Sequence, residues 1–195
     1  MGRSERGAIV PAEYLEFMAS ERVSAKTREV LEARMLVPVS ADGVLTDPQI
    51  VTLRAMLARV IPQGRPALDL IAYLLERLEK GKGDGWRYDV LPNDLQAYRE
   101  GLDRLGASGF AEADAEGQDA LLAALAAGEL VGARWFEEVR GDATVAYVAH
   151  PATLARLGYS GIGVGGAETT HKGFVTLGPN QREDWEPLPA VEKRT

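Results

Sequence analysis

Apolar residues recur along most of this chain at the three-to-four-residue spacing of amphipathic helices. The plainest case is residues 46–61, where Ile50, Leu53, Met56, Leu57, Val60 and Ile61 form one stripe. Thr46 or Asp47 stands where an N-cap belongs, and Pro48 falls just inside the start, where its missing N–H costs nothing. Pro62 ends the run. A second helix is predicted over about 66–80, turning Leu68, Ile71, Ala72, Leu75 and Leu78 inward before Gly81, Gly83 and Gly85 stop it. A third begins near Pro92 and Asn93, with Leu95, Tyr98, Leu102 and Leu105 on one face, and a fourth covers 114–127 with Gly128 as its C-terminal cap. Residues 132–149 carry Trp135, Phe136, Val139, Val145, Tyr147 and Val148. Gly141 and the β-branched Thr144 and Val145 predict a kink or break in the second half of that segment.

The flanks read differently. Residues 12–36 predict one or two short helices, with Tyr14, Leu15, Phe17 and Met18 in one apolar cluster and Val30, Leu31, Met35 and Leu36 in another. Ser24 is placed to cap the second. After His150 the helical pattern fades: residues 158–173 are rich in glycine, and 178–195 in proline and charge. Only Gly173–Gly178 offers any strand alternation. The expected fold is all-α: a single irregular helical domain over 46–157, an N-terminal helical extension over 1–45, and an extended Gly/Pro-rich C-terminal arm over 158–195.

Composition narrows the partners. A net charge of −7 argues against a nucleic-acid binder, which needs basic surface to displace counterions, and against docking on an anionic membrane. No run approaches ~18 apolar residues, so no membrane span is expected. The absence of cysteine removes disulfides, thiolate metal sites, iron–sulfur clusters and cysteine nucleophiles from consideration. Arg3 and Arg6 are not adjacent, and no apolar stretch follows them, so no export signal is expected. The chain is expected in the cytoplasm, or in the periplasm if a signal has been removed or is supplied by a partner.

Candidate chemistry is sparse. The two histidines, His150 and His171, fall short of the ligands that zinc or non-haem iron requires, and no Glu-x-x-His pair occurs. His150 precedes a proline at a helix end, a position suited to hydrogen bonding or packing. Gly161-Ile-Gly-Val-Gly-Gly166 invites a nucleotide-binding reading, but its spacing is wrong for Gly-x-Gly-x-x-Gly and no convincing helix follows to meet a phosphate. Neither a Gly-x-Ser-x-Gly elbow nor an isolated acid–base carboxylate pair is present. Tyr159, Phe174 and Trp185 are aromatic residues in an arm without periodic neighbours. Each either folds back on its own domain or anchors in another protein.

Several segments together resemble the gluconate 2-dehydrogenase subunit 3 family. They are Leu53-Arg-Ala-Met-Leu-Ala-Arg-Val-Ile-Pro62, Tyr98-Arg-Glu-Gly-Leu-Asp-Arg-Leu105, Phe110 ahead of the Gln118-Asp-Ala-Leu-Leu helix, and Trp135-Phe136. The most specific is the ending Tyr147-Val-Ala-His-Pro-Ala-Thr-Leu-Ala-Arg-Leu-Gly-Tyr-Ser-Gly161, similar to the family's His-Pro and Gly-Tyr-x-Gly pattern. The resemblance spans about residues 47–166. It implies a non-catalytic small (gamma) subunit, without a cofactor of its own, serving a large FAD-dependent dehydrogenase of the glucose–methanol–choline type that oxidises a sugar or sugar acid. The large partner would hold FAD and the catalytic histidine, some complexes add a cytochrome c subunit, and the small subunit would support folding, stability or export. On this reading His150, Pro151, Gly158, Tyr159, Gly163 and Trp185 are the expected interface residues. The rival expectation is an independent enzyme or small-ligand-binding protein using Gly161–Lys172.

Overall fold

The computed structural model describes residues 10–36, 38, 43–81, 91–130 and 132–159, which form eight helices and no strand. They are α1 (Ala12–Ala19), α2 (Ala25–Met35), α3 (Asp47–Val60), α4 (Leu70–Glu79), α5 (Asp94–Ala107), α6 (Ala115–Ala126), α7 (Ala133–Val148) and α8 (Pro151–Arg156). The all-α expectation holds. Most starts are set by local cap chemistry. Ser24, Asp69, Asn93 and Asp114 each accept a backbone N–H of the first turn, satisfying a donor that has no partner within the helix. Thr46 and Gln49 form a reciprocal capping box, with Pro48 just inside.

The main core lies among α3 to α7. Leu53, Met56, Leu74, Tyr98, Leu102, Phe110 and Val139 are almost wholly withdrawn from solvent there. Helix α3 packs on α5, and α7 lies against α4, α5 and α6. Buried Gln49 ties the first pair: its amide donates to Asp103 Oδ1 at 2.9 Å and to the Arg99 carbonyl at 3.4 Å. Where α5 meets α7, the Trp135 ring lies on Gly101. A Cβ at Gly101 would fall 2.1 Å from Trp135 Cδ2, so any side chain there would expel the indole.

A smaller cluster joins Tyr14, Met18, Val23 and Leu31 of the N-terminal segment to Leu154 of α8. Residues 12–36 thus form two helices that pack onto the far end of the helical domain. Arg28 closes their turn by donating to the Met18, Ser20 and Val23 carbonyls.

Two expectations need correction. The helix anticipated from Pro66 starts at Leu70, because Gln63 clamps the preceding loop: its amide both accepts from Leu68 N–H (2.9 Å) and donates to the Leu68 carbonyl (3.2 Å). The break anticipated in the second half of 132–149 is absent, and α7 runs unbroken through Gly141, Thr144 and Val145. A mid-helix glycine costs about 1 kcal/mol, less than the packing of the neighbouring buried Val139 and Ala143 returns. Asp142 anchors the same turn, accepting from Tyr98 Oη at 2.7 Å and pairing with Arg77 at 2.5 Å. Burial, and then the Asp142 carboxylate, push the Tyr98 hydroxyl well above its ordinary range, so it stays a donor. The strand-like Gly173–Gly178 segment lies outside the described residues.

Candidate partner interface

The corner between α7 and α8 contains four of the expected interface residues. His150 caps α8: its backbone is extended (φ −77°, ψ 134°), and its Nδ1 accepts the Ala152 N–H at 3.1 Å. Pro151 occupies the first helical position, where a proline ring presets φ. Both are buried, His150 at 2% exposure, with the Tyr73 ring edge-on to the imidazole at 6.1 Å. Because Nδ1 accepts, the neutral ring carries its proton on Nε2, and that nitrogen is buried without a hydrogen-bond partner among the described residues. Burial, and secondarily the Arg156 charge, lower the His150 pKa from 6.5 to about 4. A neutral imidazole engaged in capping and packing is therefore the ground state.

The end of α8 is turned outward. Gly158 takes φ +65°, a left-handed conformation that costs glycine nothing, and closes the helix by donating to the Ala155 carbonyl. The chain then exposes Leu157 (66%) and Tyr159 (47%). Tyr159 is held by its backbone: its N–H donates to the Leu154 carbonyl, and its carbonyl accepts the Tyr14 hydroxyl at 3.0 Å. Burial, then the neighbouring Tyr159, push the Tyr14 hydroxyl up to about 12. On α7, Val145 (69%) and Val148 (42%) also face solvent, one turn apart. Arg156 spans the corner, lying over the Tyr147 ring and donating to its hydroxyl and to Thr153 Oγ1. Residues 145–159 thus combine an internally bonded corner with four exposed large apolar side chains.

Of the expected residues, Tyr159 is at the surface, Gly158 shapes its presentation, and His150 with Pro151 builds the corner beneath. Gly163, Trp185 and Gly161–Lys172 lie outside the described residues. Val145, Val148 and Leu157 were not anticipated. A helical-phase reading offers a signal for the two valines, since Trp135, Phe136, Val139 and Ala143 define the buried face of α7 and positions 145 and 148 fall off it. Among the described residues, no group of three His, Asp or Glu side chains could hold a metal ion, and no helix is long and apolar enough to cross a membrane.

No curated protein and no solved structure matches the chain significantly. A family model does: gluconate 2-dehydrogenase subunit 3 matches residues 47–166, from the first turn of α3 through the α7–α8 corner and beyond. The match covers more than half of the sequence and ends past the His-Pro and Gly-Tyr-x-Gly segment, so the chain belongs to the gluconate 2-dehydrogenase subunit 3 family.

Proposed function

We propose that this chain is a non-catalytic small subunit that binds a large FAD-dependent dehydrogenase of the glucose–methanol–choline type and stabilises it or assists its maturation. The family match over residues 47–166 carries the reading. The α7–α8 corner supports it, since Val145, Val148, Leu157 and Tyr159 expose apolar surface on a scaffold that needs no rearrangement to present it. In this reading FAD and the chemistry of sugar or sugar-acid oxidation belong to the partner. A cytochrome c subunit would extend the electron path in the fuller assembly, and the complex would work in the cytoplasm.

The test is a tagged pull-down of the full chain from its native host, with an absorbance scan and peptide identification of the eluate. The expected result is a co-purifying flavoprotein dehydrogenase with bound-flavin absorbance near ~450 nm. Recovery of the chain as a clean monomer without flavin would overturn the proposal.

A further inference from the structure

A second recognition feature lies away from the α7–α8 corner. The end of α3, the loop over 61–69 and the start of α4 enclose an open cleft of about 460 Å³. Its floor is apolar, built from Leu57, Ile61, Leu68 and Ile71. Its outer wall is preformed, because the paired hydrogen bonds between Gln63 and the Leu68 backbone hold the loop in place.

The charge around the cleft is uneven. Arg54 lines it, is exposed, and forms no ion pair or hydrogen bond among the described residues. Arg65, on the flanking loop but outside the cleft lining, is likewise exposed and unpaired among the described residues. Other arginines nearby are engaged: Arg59 on α3 forks onto Asp119 of α6, and Arg77 on α4 holds Asp142. Among the described residues that line the cleft, the one carboxylate is Asp69, which accepts the Ala72 N–H as the cap of α4. In a protein of net charge −7, an exposed guanidinium that lines a preformed apolar cleft, with no partner among the described residues, complements an acidic occupant.

We infer that this cleft receives an extended segment of the large dehydrogenase subunit in which an apolar side chain is followed by a carboxylate. The apolar side chain covers Leu57, Ile61, Leu68 and Ile71, and the carboxylate pairs with Arg54. The inference rests on the accessory-subunit reading and names a contact through which that subunit is recognised.

The test uses the full chain with a photo-crosslinking benzoylphenylalanine at Ala58, an exposed position on the cleft wall, together with an Arg54→Glu variant, both expressed in the native host. Ala58 is expected to crosslink to an acidic-apolar peptide of the flavoprotein subunit. Arg54→Glu is expected to lower flavoprotein recovery about tenfold or more, with an unchanged melting curve. If the unmodified chain recovers the flavoprotein but Ala58 crosslinks only to this same chain, or Arg54→Glu recovers as much as wild type, the cleft assignment fails while the accessory reading stands. If the unmodified chain recovers no flavoprotein, both fail together.

Discussion

His150 shows how one side chain sets a stability profile. Its pKa is about 4 in the folded chain against an ordinary 6.5, so as pH falls the unfolded chain takes up the proton first. The stabilisation from the neutral ring is complete above pH 6.5, declines between 6.5 and 4, and is gone below 4. The full span is on the order of 3 kcal/mol. His150→Asn keeps a side-chain acceptor for the Ala152 N–H and removes the titration. Urea unfolding at pH 7 and pH 4.5 should show wild type losing roughly 2–3 kcal/mol more than the variant between the two. Equal losses would show that the imidazole is not what makes the corner acid-sensitive. Legibility at this scale followed the range of the interaction. Ser24, Asn93 and Asp114 are readable because a cap bonds within three residues of itself. His150 is not a usual cap residue, so its α8 went unread. Gly101 looks like an ordinary helix interruption until Trp135, far along the chain, is seen lying on it.

At the scale of elements, helical periodicity located α3, α5 and α6 well, because each stripe faces a single core. It misjudged α7, where local propensity and tertiary packing disagree. The Gly141 and Thr144 signals are real but small, and the contacts of Val139, Ala143 and Asp142 outweigh them. Thr144 even turns its hydroxyl back onto the Arg140 carbonyl at 2.7 Å, within its own helix. Gly141 therefore remains an unrelieved cost. It is exposed, lies inside α7, and a Cβ there would meet nothing within 4 Å. Gly141→Ala should stabilise the protein by about 0.5–1 kcal/mol, read as a higher denaturant midpoint at unchanged slope. A lower midpoint would mean that α7 needs the freedom of glycine at that point. The α3–α4 cleft was hidden in the sequence for a related reason: the stripe marks Leu57 and Ile61 as inward, and both are buried, but only the loop clamped by Gln63 shapes the cleft that they floor.

The described residues form two apolar clusters of unequal size, and among them Leu154 is the one buried member of the smaller cluster drawn from beyond α2. The Tyr73 hydroxyl adds a polar tie, donating to the Arg34 carbonyl at 3.0 Å. Leu154→Ala removes an apolar group at 8% exposure and should cost about 2–5 kcal/mol locally. Hydrogen exchange is expected to show faster exchange in α1 and α2 and retained protection in α3–α7. Equal acceleration throughout would mean that both clusters open as one unit. Sequence reading placed α1 and α2 as helices but could not show where they dock, since nothing local in residues 12–36 points to a partner near position 154.

The hydrogen bond from Tyr14 to the Tyr159 carbonyl joins residues 145 positions apart, which gives synthesis of this chain a definite schedule. A ribosome adds residues from the N-terminus at roughly 5–20 per second, so α1 and α2 emerge first but find no docking surface. The docking of α1 and α2 seen here therefore waits until Leu154 and Tyr159 have been made.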